Sequence, residues 1–392
     1  MLLKSLLLRN FRNYSNLELE FPCSINLIVG DNAQGKTNLL EAIYFLSTAK
    51  SHRTRIDDEL IKHGEVFFNL KGRLESRLSS TVVEISKTLS GLKRVKINGK
   101  LQRKSSYLIG QTSVVIFSPE SLALVKGGPA DRRKFLDILI SQINPTYLRC
   151  LQNYQLVLKQ RNKLLKQIRE KRATVDLLAP WDKQLIEIGT NIMEMRADII
   201  AKLTSQARER HKELTEADEH LDIVYRRGLN WSDKTDAVQS RSLASESLLR
   251  NYNNALYEAR DVDILKGTTS IGPHRDDLII ALNNFEARRF GSQGQHRTIA
   301  LSFKLAEIDL IMSETGELPI VLLDDVASEL DQNRAVFLFN LLDRLNAQVF
   351  VTTTQLNNLC LLRSPTTSSY GLNLSKCKIF EVKNGIINVS NA

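Results

Sequence analysis

The stretch GDNAQGKT, Gly30 to Thr37, satisfies the pattern GxxxxGK[ST], whose residue types suit the holding of nucleotide phosphates. Glycines let consecutive backbone N–H groups converge on phosphate oxygens, a lysine neutralises the β- and γ-phosphate charge, and a hydroxyl is offered to Mg²⁺. Gly30, Asp31, Asn32, Ala33, Gln34, Gly35, Lys36, Thr37 and Asn38 are therefore the expected cofactor-binding loop, with Lys36 also a catalytic candidate and Thr37 a metal ligand. The magnesium needs a carboxylate, and IVLLDD supplies one: Ile320 to Leu323 read as a buried strand that delivers Asp324 to the carboxyl edge of a parallel sheet, where ligands of such sheets collect. Asp325 follows as the candidate to polarise an attacking water. It is one methylene shorter than a glutamate, so hydrolysis should be slow. Two acids capping a helix after a strand is the plainer alternative.

A third candidate is GSQGQ, Gly291 to Gln295, ahead of a helical pattern. Ser292 and Gln295 are spaced as a capping box, which explains them structurally. Ser292, Gly294 and Gln295 at a helix start are equally an anion site in need of an anion. The local pattern leaves both readings open.

These residues must be positioned by elements. SINLIVG reads as a short buried strand before the glycine loop, and TNLLEAIYFLSTA has helical apolar spacing through Leu39, Leu40, Ile43 and Leu46. From about Phe67 to Phe117 short alternating segments predict a β-rich subdomain, with a hairpin turn at Asn98-Gly99. Tyr147, Leu151, Tyr154, Leu158, Leu165 and Ile168 then step by three and four, with Arg161 breaking the seam, and Trp181, Leu185, Ile188, Ile192, Met195 and Ile199 resume the stepping. Two long helices, joined by a loop containing Pro180, are expected to pack antiparallel. The acidic stretch Glu209 to Asp222 and the segment NWSDKTDAVQSRS read as loop and linker. Later, SQGQHRTIALSFKLAEIDLI reads as a helix, LPIVLLDD and AQVFVTTT as buried strands, and IFEVKNGIINV as a hairpin around Asn384-Gly385.

At 392 residues the chain is long enough for two or three domains. No apolar run approaches the roughly 20 residues of a membrane-spanning helix, and the N-terminus lacks a cleavage site, so a cytoplasmic protein is expected. Cys23, Cys150, Cys360 and Cys377 show no paired spacing and read as packing residues. The formal charge of +10 favours a polyanionic partner, nucleic acid or membrane surface. Ser51 to Lys104 holds thirteen Lys and Arg against six acids, and Pro145 to Arg172 holds eight against Glu170 alone.

The glycine loop near the N-terminus, a helical insertion, the serine-glycine-glutamine signature and LLDDVASELD near the C-terminus resemble the ABC-type, SMC-like ATPases of chromosome maintenance. Among these, LRNFRNY (Leu8 to Tyr14), FSPESLALVKGGPADRRKFLD (Phe117 to Asp137), SIGPHRDDL (Ser270 to Leu278) and FGSQGQHRT (Phe290 to Thr298) resemble the RecF family of bacterial recombination repair. The resemblance implies an α/β fold: an ABC-type P-loop ATPase head, a mixed α/β sheet core plus β subdomain, from 1–125 and 265–392, with an inserted helical arm at 126–264. It also implies ATP and Mg²⁺ held between two heads, so that Lys36, Thr37, Asp324 and Asp325 of one copy face Ser292, Gly294 and Gln295 of another, with Ser328 to Asp331 crossing the interface. The implied partners are gapped, single-stranded and double-stranded DNA, RecR, and indirectly RecO and RecA, with weak DNA-stimulated ATPase activity as a switch. Two positions depart from the wider ABC pattern: VTTT, Thr352 to Thr354 at its end, replaces the histidine after the last core strand, and FSPES stands where a glutamine lever usually follows the β subdomain.

Arg12 reads either as a phosphate or base contact or as a solvated charge. His274, Arg275, Asp276 and Asp277 could form a metal or catalytic cluster, although one histidine beside an Arg–Asp pairing reads more simply as structural. A nuclease lacks a histidine–carboxylate metal cluster, a motor lacks helicase motifs, and a transporter subunit does not explain the basic arm. An SMC-like structural DNA tether is the alternative, but roughly 50 helical residues at about 1.5 Å each fold back into too short an arm.

Overall fold

The computed structural model describes residues 1–22, 25–77, 79–215, 218–229, 241–326, 330–354 and 377–391. Cys23, Cys360, Ser328, Glu329 and most of the expected linker from Asn230 lie outside them. The chain divides into two compact units: Met1–Leu122 with Arg210–Asp218 and Gln293–Ala392, and Ala123–Glu209 with Glu219–Ser292. No helix among the described residues is long and apolar enough to cross a membrane.

The first unit opens with β1 (Leu2–Phe11), β2 (Tyr14–Glu20) and β3 (Ile25–Val29), after which α1 (Lys36–Thr48) rises from the glycine loop. β4 (Phe67–Glu75), β5 (Ser80–Thr88), β6 (Arg94–Ile97) and β7 (Lys100–Leu101) follow, and β8 (Val114–Phe117) ends this run. The turn at Asn98 and Gly99 forms as expected, both at positive φ, the geometry that matches the twist of paired strands.

In the second unit come α2 (Ala123–Lys126), α3 (Pro129–Ile143), α4 (Pro145–Arg169), α5 (Ala179–Thr215, its residues from Arg210 counting with the first unit), β9 (Leu221–Arg226), α6 (Arg241–Glu258), α7 (Arg260–Lys266), β10 (Asp277–Leu282), β11 (Phe285–Glu286) and α8 (Ala287–Phe290). The first unit is completed by α9 (Gln293–Thr315), β12 (Ile320–Leu323), α10 (Gln332–Leu345), β13 (Val349–Thr353), β14 (Cys377–Lys383) and β15 (Ile386–Asn391).

Two six-stranded sheets shape the first unit, in the orders β2-β1-β4-β5-β6-β7 and β15-β14-β3-β13-β12-β8. The first is antiparallel throughout. In the second, all pairs are parallel except the edge hairpin β14-β15. α1 is apolar nearly all round, and Leu39, Leu40, Ile43, Phe45 and Leu46 are fully buried in the core that both sheets share. The β subdomain thus differs from its sequence reading at both ends. It takes in the first twenty residues, because Leu3, Leu6 and Leu8 need a partner face, and it yields β8 to the parallel sheet, where Phe117 is in register with Leu323.

The second unit has a charged interior. The α4 and α5 pair is antiparallel, as the ladder Tyr147–Arg196 and Arg161–Asp182 requires. Arg161, which interrupts the apolar seam, is fully buried: Nε donates to Asp182 at 2.6 Å and Nη1 to Asp263 at 2.7 Å. Pro180 lies in the first turn of α5, where a missing N–H costs nothing, rather than in the loop. Glu209 to Thr215 is not loop but the end of α5. Arg210 there grips Asp309 of α9 through two bonds of 2.7 and 2.9 Å, and His211 meets Ser302 at 3.1 Å. An acidic sequence hid a helix end that Arg210 ties to α9.

Candidate nucleotide site

β3 delivers the chain to Gly30, and the loop turns back into α1 at Gly35. Gly35 sits at φ 120°, and a Cβ there would fall 2.4 Å from the Asn13 amide, so glycine is required both by conformation and by contact. A Cβ on Gly30 would lie 2.3 Å from the Val382 carbonyl oxygen. The loop is bracketed from outside by two turns. Asn13 Nδ2 donates to the Gln34 carbonyl at 2.8 Å, and the Asn384 N–H donates to Gln34 Oε1 at 2.6 Å. Tyr14 donates its hydroxyl to the Gly35 carbonyl at 2.9 Å, and burial raises its pKa well above the ordinary phenol value. Asp31, Asn32 and Ala33 form the exposed side of the loop.

Lys36 folds over this loop and donates to the carbonyls of Gly30 and Asp31 at 2.6 and 2.8 Å. Burial lowers its pKa, while the charges of Asp325, Asp324 and Asp31 oppose the shift. Its ammonium is thus held by two backbone carbonyls of the loop it follows. Thr37 donates to Asp324 Oδ1 at 2.9 Å, across 287 residues of sequence. The two halves of the expected site are therefore joined by the parallel sheet: β12 carries Asp324 past the end of β8, and the Asp324 N–H donates to the Phe117 carbonyl at 2.8 Å.

Asp324 is buried. Desolvation raises its pKa, the bonds from Thr352 and Thr37 lower it, Glu120 raises it and Arg53 lowers it. Thr352 holds both aspartates: its hydroxyl donates to Asp324 Oδ1 at 2.8 Å and accepts the Asp325 N–H at 2.8 Å. Asp325 is exposed and left-handed at φ 51°, a conformation that costs an L residue roughly 1–2 kcal/mol. A magnesium ion bound chiefly through phosphates and water needs only one or two protein oxygens. The hydroxyl of Thr37 and the carboxylate of Asp324 fit that need.

Ser292, Gln293 and Gly294 are exposed at the start of α9, and Gln295 is half-buried. Of the expected interface loop, Leu330 and Asp331 are described, and Asp331 caps α10 by accepting the Arg334 N–H at 3.1 Å.

Several residues take roles that spacing did not reveal. Arg12 is not a loose charge: Nε and Nη2 both donate to Glu41 at 2.8 Å, and Nη1 donates to the Glu59 carbonyl at 2.8 Å. Burial alone would raise the Glu41 carboxyl; the hydrogen bonds from Arg12 and Ser51 and the charges of Arg12 and Arg53 outweigh it and hold it below its usual range. Arg53 also donates to Asn38 Oδ1 at 3.0 Å, so the cations around α1 tie the helix start to the turn at Arg12. In the second unit, His274 accepts from Tyr154 and faces the Thr269 carbonyl, at 2.7 and 3.0 Å. Arg275 pairs with neither neighbour. Asp276 takes Arg196 at 2.7 Å, and Asp277 takes Arg132 in a bidentate pair at 2.7 and 3.1 Å. Among the described residues no group of three or more His, Cys, Asp or Glu is placed to hold a metal ion.

Comparison with known proteins places this geometry. Residues 2–365 match the RecF/RecN/SMC N terminal domain family. The chain is 46% identical over 360 residues to the DNA replication and repair protein RecF of Natranaerobius thermophilus, covering 91% of this chain and 92% of that one. It is 43% identical over 387 residues to the same protein of Bacillus cytotoxicus, covering 99% and 98%. A solved structure described as the recombination mediator protein RecF-ATP in the RecFOR pathway superposes with a TM-score of 0.86 at 35% identity, covering 99% and 97% of the two chains. The Smc head domain of Pyrococcus furiosus superposes at 0.54 with 15% identity over 99% and 95%, which shows the shared ABC-type head fold alone. The chain belongs to the RecF family of DNA replication and repair proteins, within the SMC-type ATPases.

Proposed function

We propose that this chain is an ATP-controlled DNA-binding protein of recombinational repair, in which ATP joins the heads of two copies. The observation that carries the reading is the 2.9 Å bond from Thr37 to Asp324, which assembles loop and carboxylate into one site. Lys36 would leave its carbonyl acceptors for the β- and γ-phosphates, and the loop amides would fix the chain of phosphates. Bound Mg²⁺, held by Thr37 and Asp324, would neutralise phosphate charge. Asp325, oriented through Thr352, would hold the attacking water; its short side chain fits slow turnover and a switch rather than a metabolic enzyme. Ser292, Gly294 and Gln295 of the second copy would complete the anion site, since an exposed helix start with a serine and a glycine has donors to offer. The division into ATPase head and helical arm is part of this reading.

The basic zones suit gapped duplex and its single- and double-stranded flanks, bound mainly through phosphates. The relatives' role in the RecFOR pathway supports RecR, with RecO and RecA indirectly, as partners in loading RecA, and a cytoplasmic site of action. The test is mass measurement in solution with and without ATP and gapped DNA. Wild type should pass from monomer to dimer with ATP, and Lys36→Met should not; a Lys36→Met protein that dimerises with ATP as wild type does would overturn the reading.

A further inference from the structure

Two phenylalanines stand in water next to the signature. Phe285 and Phe290 are 63% and 69% exposed, and their rings meet edge to face with centroids 6.0 Å apart. Single exposed apolar residues are ordinary, but a contacting aromatic pair, with Phe290 two residues before Ser292 and Phe285 seven before, is a concentrated apolar surface. It is also held rigidly. Asn283 and Asn284, at φ 50° and 69°, make the tight turn that sets Phe285 opposite Leu282 in the β10-β11 hairpin. The turn is fixed by Asn283 and His220, whose backbone and side chain exchange bonds of 2.9 and 2.7 Å. Ala287, fully buried, anchors α8, which ends at Phe290. A pre-ordered aromatic pair loses little side-chain freedom on docking, which is how a few residues come to dominate an interface.

Charge narrows the occupant. Exposed Arg288 and Arg289 lie between the two rings in sequence, Arg289 within 3.2 Å of the Glu286 carboxylate, so the patch keeps a net positive charge, whereas the rim of the phosphate cradle exposes Asp31, Asp325 and Glu120. One surface is aromatic and cationic and the other acidic, so the patch of one copy complements the cradle rim of another. We propose that Phe285 and Phe290 form a docking knob that seats on a second copy of this chain beside its nucleotide, with Arg288 and Arg289 meeting the acidic rim. This rests on the ATP-joined pair proposed above and adds the residues that hold it. The knob would act on association and leave nucleotide binding by a single copy alone.

The test uses full-length Phe285→Ser, Phe290→Ser and Arg288→Glu proteins, with Leu92→Ser, at an 89% exposed site elsewhere, as control. Sedimentation with ATP should show a dimer dissociation constant raised about tenfold or more for the three variants and unchanged for the control. A fluorescent ATP analogue should bind the monomers as it binds wild type, and melting temperatures should hold, because these side chains are already exposed. Variants that dimerise as wild type does overturn the knob and leave the functional reading standing. Wild type that never dimerises overturns both. Intact dimers with lost single-stranded DNA binding would assign the aromatic pair to base stacking and overturn this proposal.

Discussion

Asp324 shows how much a single residue's role depends on hydroxyls brought from elsewhere in the chain. One carboxylate oxygen accepts from Thr37 and from Thr352, and without those two bonds a buried acid at a strand end would be driven toward its neutral form. Thr352→Val removes one of the two and also frees the Asp325 N–H. Under the proposed mechanism it should slow single-turnover ATP hydrolysis about tenfold, or about 1.4 kcal/mol, while nucleotide affinity stays near wild type. Equal losses in both would mean that Thr352 serves binding rather than the water. Lys36, Thr37 and Asp324 were legible because each sits in a motif with its own local element. Thr352 was visible only as a departure from a pattern, since its partner lies 28 residues away on the neighbouring strand.

At the scale of elements, the polar knot around His274 carries a pH signature. Burial lowers the His274 pKa to about 4, despite the bond to the Thr269 carbonyl, because the charged ring would lose solvent and face Arg275 and Arg133. A histidine whose folded value lies below its unfolded 6.5 binds fewer protons when folded, so its stability contribution is full above pH 6.5 and declines toward pH 4. Denaturant unfolding should therefore show stability falling by on the order of 3 kcal/mol over that window, with a flatter profile for His274→Gln. Identical profiles would remove the histidine from the account. The stepping of α4 and α5 was readable from sequence, but Arg161 looked like a flaw in the seam. Its partners Asp182 and Asp263 come from α5 and α7, and no helical periodicity encodes a cross-helix ion pair.

For the whole molecule, the surplus of cations predicts binding that weakens steeply with salt. If about six phosphates are contacted, DNA affinity should drop about a thousandfold between roughly 50 and 200 mM salt in a titration with gapped duplex. A flat response would point away from a backbone-tracking surface. By itself the sequence determined the phosphate loop, the strand that ends in paired aspartates, the helix behind the signature and the hairpin turns, because each is a local pattern of glycine, periodicity or turn chemistry. Tertiary structure alone decided that the first strands complete the β subdomain, that β8 crosses to the parallel sheet and that an acidic segment finishes a helix. Those outcomes depend on which apolar faces and buried charges find partners from about sixty to about two hundred residues away, and that is settled by packing rather than by local propensity.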